Sequence, residues 1–292
     1  GVQLYKCKSC SRQFLGSYHR LSSAQIWSDY LEGKQTISEI AQSYHVSPST
    51  IKRLLRKITF EWKQPSLFGR SGFVHLDATY WGRNWAIILA LDEETGDALY
   101  LAFIKHETTQ AFVDAIIAIA AAGYSIRGII IDGKPDLFSA LADYPIQMCQ
   151  FHMIQIVKRY LKKNPKMNAS KELMLLCRYM VNMRGEDFVN DYKAWKTRWY
   201  DFLNKRTTHK DGKTYYLHRR IRTLVHRIDF YLPCLFTYQN TGCDGMPNTN
   251  NKIEGTFTDL KKNLNNHSGL TIEHRRLFII AYFLMRKKVP TN

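Results

Sequence analysis

The sequence predicts an α/β protein: a mixed five-stranded sheet, a long all-α insertion within it, and two small modules ahead of it. Three observations carry this. Residues 72–163 follow the pattern order β-β-β-α-β-α-β-α. Residues 165–245 lose every strand pattern and keep only helical apolar spacing. Residues 1–60 hold a Cys-x-x-Cys knuckle and two short capped helices.

The bulk properties set the frame. With 292 residues, two or three folded units are expected, and 45% hydrophobic and 13% aromatic residues suffice for a sizeable core. No apolar run approaches the roughly 20 residues of a membrane span, and nothing resembles a secretory signal. The chain opens at Gly1, as expected of a fragment or processed form. The net charge of +17 is unevenly spread. Residues 1–70 carry 11 Lys/Arg against 4 Asp/Glu, residues 71–150 carry 4 against 10, and residues 151–292 carry 27 against 11. Basic surfaces attract polyphosphate, so nucleic acid is the natural partner of the two outer segments. Among the six cysteines only Cys7 and Cys10 sit at metal-ligand spacing, and the rest do not form the pattern of a secreted disulfide scaffold. A reducing cytoplasm is the simplest setting.

Residues 1–20 read as half of a zinc ribbon. Cys7 and Cys10 can hold one side of a tetrahedral Zn²⁺. A structural site needs four ligands. His19 is one candidate for a third, and a partner pair upstream of Gly1 is the other source. Residues 21–60 read as a helix-turn-helix. Thr36-x-x-Glu39 is a capping box, Ile40, Ala41 and Tyr44 share a face, and Ser47-Pro48 opens the next helix. Ile51, Leu54 and Leu55 continue the apolar face. The second helix would lie in the major groove, with Ser49, Thr50, Lys52 and Arg53 towards DNA. His45 stands where a left-handed turn residue is expected. Residues 60–71 read as a linker.

Residues 72–163 are the first part of the core. Phe73–Trp81, Asn84–Leu91 and Ala98–Lys105 read as strands, the last two joined by a turn at Glu94–Asp97. Thr108–Ala122 is helical and stops at Gly123; Ile126–Ile131 is a buried strand ending at Asp132-Gly133. A short helix over Pro135–Leu141, a strand over Ile146–Cys149 and a helix over Phe151–Lys163 follow. This is the element order of an RNase-H-like fold, in which the first and fourth strands lie side by side. Asp77 sits mid-strand among apolar neighbours, where a carboxylate is costly unless paired or metal-bound. Asp132 ends the neighbouring strand, so the two would converge. Close carboxylates repel, and a divalent cation resolves the repulsion. Oxygen ligands favour Mg²⁺ or Mn²⁺. Asp92, Asp97, Asp136 and Asp143 rank lower because they fall in turns or helix starts.

Residues 164–246 form the helical insertion, with helical spacing over Lys171–Met183, Phe188–Leu203 and Tyr215–Tyr238. Its aromatics Tyr192, Trp195, Trp199, Tyr200 and Phe202 read as core, and its Lys/Arg face as the DNA-contact candidate. Lys205-Arg206 and Lys210–Lys213 flank a loop. Residues 247–292 return to the core. Asn248–Phe257 puts Glu254 near the start of a helix, and Thr271–Lys287 is a last basic helix.

Taken together these motifs resemble the DDE transposases of bacterial insertion sequences, in the Mutator-like group and its zinc-binding N-terminal variant. Asp132 follows Asp77 by 55 residues and Glu254 follows Asp132 by 122, with the insertion in the longer gap. The Cys149-Gln150-Phe151-His152 run matches that group's Cys-x-x-His, and Asn250–Gly255 matches the segment around its catalytic Glu. The resemblance covers nearly the whole chain. It implies that Asp77, Asp132 and Glu254 hold two Mg²⁺ ions roughly 4 Å apart for DNA cleavage and strand transfer. It further implies that His152 orients the scissile phosphate while Cys149 is structural. The implied partners are double-stranded DNA, as terminal inverted repeats and target, and further copies of the chain on DNA, in a nucleoid-associated cytoplasmic setting. Two other functions remain open at this point: a sequence-specific DNA-binding regulator with an inactive core, and a structure-selective nuclease of the same fold.

Overall fold

The computed structural model describes residues 4–15, 21–82, 85–208, 212–267 and 270–285. They divide into two compact units, one made of the residues up to Trp62 with those from Asp259, the other of Lys63–Thr258. His19 and Lys210 lie outside the described residues.

The first unit opens with the short antiparallel strands β1 (Leu4–Lys6) and β2 (Gln13–Leu15). Three helices follow: α1 (Ser23–Leu31), α2 (Ile37–Ser43) and α3 (Pro48–Leu55). The Thr36/Glu39 capping box is complete, and Ser47 caps α3 by accepting from the Thr50 N–H at 3.2 Å. His45 adopts φ +53° in the intervening turn, the left-handed geometry its position requires. Ile40, Ile51 and Leu54 are buried with Ile26 and Trp27 of α1, and the Trp27 indole donates to the Leu55 carbonyl at 3.1 Å. Burial of these apolar side chains, more than helix propensity, stabilises such short helices.

The second unit is built on β3 (Ser71–Tyr80), β4 (Ala86–Asp92) and β5 (Ala98–Ile104), an antiparallel meander. Helix α4 (Thr109–Ala121) leads to β6 (Ser125–Ile131), α5 (Pro135–Ala140), β7 (Ile146–Met148) and α6 (Gln150–Leu161). The sheet order is β5-β4-β3-β6-β7, with β6 parallel to both β3 and β7. This five-stranded mixed sheet with its helices is RNase-H-like, as the element order led one to expect. Every residue of β4 is buried, which is why its apolar run shows no alternation. One face of the sheet packs Val74, Leu76, Ile88, Ile129 and Ile131 against Phe112 and Ile116 of α4. Gly123 ends α4 at φ +95°, and a Cβ there would sit 2.9 Å from the Phe68 backbone, so only glycine fits.

The insertion comprises α7 (Asn168–Tyr179), α8 (Gly185–Arg198), α9 (Tyr200–Asn204), the hairpin β8 (Arg206–Thr208) and β9 (Thr214–Tyr216), and α10 (Arg219–Tyr231). Leu173, Phe188, Tyr192, Trp195, Leu224 and Ile228 bury against Met153 and Val157 of α6. Tyr192 and Trp195 are core, as the sequence suggested, whereas Tyr200 is exposed. The hairpin corrects the expectation that the insertion carries no sheet. Its strands have three exposed or half-buried residues each, too short and too polar for an alternation to register. Arg206 and Arg222 hold it by lying over the Tyr216 ring at 4.7 and 3.7 Å.

The last helices are α11 (Asn251–Asn265) and α12 (Ile272–Met285). The first turns of α11 belong to the second unit. From Asp259 onward the chain packs within the first, where Asp259 pairs with Lys34 at 2.9 Å and accepts from Tyr282 at 2.7 Å. Among the described residues no helix is long and apolar enough to cross a membrane.

Candidate metal centre

The sheet register brings Asp77 and Asp132 to the same level. His75 of β3 pairs with Ile130 of β6, so two residues further on Asp77 stands beside Asp132. Alternation puts Phe73, His75 and Asp77 on the face opposite the α4 core, together with Ile130 and Asp132. The segment 248–250 is then sewn onto the start of α6. The Gln150 N–H donates to the Asn248 carbonyl at 2.9 Å, and the Asn248 amide donates to Gln150 Oε1 at 3.0 Å. The Asn250 N–H meets the buried Cys149 Sγ at 3.2 Å. Because Asn250 also accepts the Glu254 N–H at 3.2 Å, α11 starts there and aims Glu254 at the first turn of α6.

There His152 Nδ1 lies 2.9 Å from Asp132 Oδ1 and 3.4 Å from Glu254 Oε1. One ligand atom from each of Asp132, Cys149, His152 and Glu254 falls within 4.8 Å of all the others. Asp77 is not in that set. Its Oδ1 accepts the Ala78 N–H at 2.7 Å instead. Burial, followed by the charge of Asp132, raises its carboxyl well above the usual range. Burial likewise raises Glu254. For His152 burial disfavours the charged ring, but Asp132 and Cys149 outweigh it and push the imidazole up to about 11. In the metal-free protein this imidazolium supplies the positive charge that two facing carboxylates require.

The donor set fits a divalent cation on one further observation. His152 Nδ1 and Glu254 Oε1 are both buried, and neither has an aligned hydrogen-bond partner despite their close approach. Atoms that converge on one point without bonding to each other are what a shared ligand sphere leaves behind. Carboxylate oxygens suit a hard ion. Cys149 Sγ is met by the Asn250 N–H, and its soft sulfur suits Mg²⁺ or Mn²⁺ less well than the oxygens of Asp132 and Glu254.

Three residues at the site were not anticipated from sequence. His75, 1% exposed, is held between Asn250 Oδ1 at 2.7 Å and the Glu93 carboxylate. The Asn250 amide nitrogen faces Leu76 O at 3.5 Å and Asp132 Oδ1 at 3.4 Å. Both are acceptors, so the amide oxygen must be the atom turned to His75, and Nδ1 carries the proton. Glu93 is also 3.4 Å from Lys252. Burial raises its carboxyl, but His75 and Lys252 outweigh it and hold it below the usual range. The chain Glu93, His75, Asn250, Asp132 thus runs from the sheet surface to a candidate ligand. Its only sequence signals are positional: His75 two residues before Asp77, and Asn250 four before Glu254.

At the N-terminus, Cys7 and Cys10 flank a tight turn in which Ser11 adopts φ +56°. The Ser9 hydroxyl, then the backbone N–H groups of Cys10 and Ser9, hold the Cys7 thiol down at about 6, a favourable state for a metal thiolate. Among the described residues no third Cys or His joins them. On α3, Ser49, Lys52 and Arg53 are exposed, whereas Thr50 is half-buried with its hydroxyl 3.0 Å from Ser47 Oγ.

No protein-family model and no curated protein matches the sequence. Among solved structures the chain is similar to the Drosophila P element transposase strand transfer complex, at 11% identity over 93% of each chain with a TM-score of 0.43. It is also similar to the simian T-cell lymphotropic virus intasome in complex with PP2A regulatory subunit B56 gamma, at 12% identity over 50% of this chain and 68% of that one with a TM-score of 0.23. The fold assignment rests on the strand order and polarity described above.

Proposed function

We propose that this chain is a metal-dependent DNA transposase of the DDE type, resembling the Mutator-like group of bacterial insertion sequences, in which Asp77, Asp132 and Glu254 hold Mg²⁺ or Mn²⁺. The observation that carries the reading is the meeting of Asp132, His152 and Glu254, with unsatisfied buried atoms at His152 and Glu254, although Asp132 and Glu254 stand 122 positions apart in the chain. When bound, a pair of such ions supplies an activated water and stabilises the leaving oxygen at a scissile phosphate. Asp132 and Glu254 would hold the ions together with Asp77, whose carboxyl would have to give up its proton and turn from the Ala78 N–H. His152, freed from its bridging role, orients the phosphate from the first turn of α6, and Cys149 anchors Asn250 and so the start of α11. The α2–α3 helix-turn-helix reads the element's terminal repeats through Ser49, Lys52 and Arg53, with Thr50 as part of the helix cap. Cys7 and Cys10 are half of a Zn²⁺ site. The partners are double-stranded DNA and further copies of this chain, with a nucleoid-associated location.

The test is Mg²⁺-dependent nicking and joining of DNA carrying the flanking inverted repeats. Asp77→Asn, Asp132→Asn and Glu254→Gln should each abolish nicking while specific DNA binding persists. Full activity in all three would reject the assignment. One observation favours a second reading, a DNA-binding regulator with an inert core: Asp77 lies outside the converging set and its Oδ1 is engaged by its own strand. Specific binding with no nicking by the parent chain would select that reading.

A further inference from the structure

Beside the carboxylates runs a cleft of about 710 Å³, of a size that takes a small organic group. Its lining includes the Asp132 carboxylate beside His152 and, further along, Arg159 and Arg227. The face of α6 that carries His152 reaches the cleft again at Gln155, Ile156 and Arg159. Seven residues of helix put Arg159 about 10 Å along the axis from His152. Arg227 comes from α10 of the insertion, one turn before Tyr231, whose hydroxyl donates to the Gly133 carbonyl at 2.6 Å. That bond fixes the insertion helix to the loop that follows Asp132.

The cations lining the cleft differ in what they face. Lys134 is paired with Glu107 at 3.2 Å. Arg159 and Arg227 are exposed, and among the described residues neither has a carboxylate within 4.0 Å. The Tyr80 hydroxyl accepts the Glu107 N–H at 2.9 Å and the Tyr231 hydroxyl donates to Gly133, so both hydroxyls are already engaged within the protein.

We propose that Arg159 and Arg227 form a binding site for backbone phosphates of the DNA strand that leaves the metal centre along α6, one or two nucleotides from the scissile phosphate. This rests on, and deepens, the transposase reading. An acidic peptide would also meet the Asp132 carboxylate in the cleft lining and be repelled. A polynucleotide can present one phosphate to a metal ion and the next ones to two planar guanidinium groups, which match phosphate oxygens bidentately. The insertion thereby contributes directly to strand placement.

The test uses the full chain and a short fluorescein-labelled oligothymidylate, read by fluorescence anisotropy over a salt series, in EDTA and in Ca²⁺. Each phosphate deprived of its cation lowers the salt slope by about 0.7, which at roughly 0.1 M salt is about a fivefold loss of affinity. Arg159→Ala and Arg227→Ala should each show that loss, the double variant about 25-fold, and Arg→Lys variants, which keep the charge but not the bidentate fork, a smaller loss than alanine. Lys193→Ala, an exposed lysine of α8 that does not line the cleft, should leave binding unchanged. A double variant that binds within about twofold of the parent, or a Lys193→Ala loss as large as that of either arginine, overturns the proposal. Binding is read without cleavage, so failure of the transposase reading shows separately, as absent nicking with the arginine effects intact.

Discussion

Asn250→Ala is the substitution that tests most of the site at once. Asn250 is fully buried, and its side chain spans His75 Nδ1 at 2.7 Å, Leu76 O at 3.5 Å and Asp132 Oδ1 at 3.4 Å. Alanine removes the acceptor for a ring N–H that is itself buried, and a buried donor left without a partner costs about 1–3 kcal/mol. The weaker bonds to Leu76 and Asp132 bring the total to about 3 kcal/mol. In a unit of roughly 200 residues each kcal/mol moves the midpoint by about 2–4 °C, so calorimetry in EDTA should show a fall of about 6–12 °C in the transition of the unit Lys63–Thr258. Asp132 also loses the amide that orients its carboxylate. Loss of such an outer partner weakens metal binding about 10–100-fold, to be measured by titrating Mn²⁺ into the parent and the variant. A midpoint within about 2 °C of the parent together with an unchanged Mn²⁺ affinity would refute the argument.

Asp77 yields the opposite sign. Its folded pKa lies above its unfolded value, so the ionised carboxylate destabilises the metal-free fold as pH rises past about 4. Asp77→Asn should therefore melt above the parent in EDTA at neutral pH, and the gap should close or reverse in Mn²⁺; a variant less stable than the parent in EDTA contradicts this. Because Asp77 and Glu254 hold their protons more tightly than usual, Mn²⁺ affinity should climb with pH, and a flat profile would count against these two carboxylates as ligands. For Asp92 burial raises the carboxyl, but the Thr95 N–H, Tyr124 and Arg70 outweigh it and its folded pKa is lowered. The stability it contributes is present above the unfolded value near about 4 and is lost as pH falls through the folded one, so Asp92→Asn should flatten the acid limb of a denaturation series. Gly133→Ala sets a Cβ 2.8 Å from Met148 Cε and 3.1 Å from Ile156 Cδ1; it should cost about 1–2 kcal/mol by overpacking and slow nicking by shifting the Asp132 loop, and a neutral midpoint would show that the loop yields.

Local chemistry made the elements legible in the chain. The Thr36/Glu39 capping box, the Ser47-Pro48 start and the left-handed His45 are decided by side-chain and backbone groups a few residues apart, and they stand where the pattern places them. The apolar strands announce the sheet because burial on both faces demands it, and the strand at Ile131 ends on Asp132 for the same reason. What the chain alone could not set was distance in space. Whether Asp132 and Glu254 meet depends on Asn248 and Asn250 bonding to the start of α6, across about a hundred residues and with no local trace. The same holds for His75 and Glu93, an ordinary strand residue and an ordinary turn residue until Asn250 arrives, and for Arg227, one basic residue among many until Tyr231 bonds to Gly133. Periodicity records which face of an element is buried, whereas only the tertiary structure decides which buried or charged groups from separate elements share one volume of space, and that sharing is what makes a site.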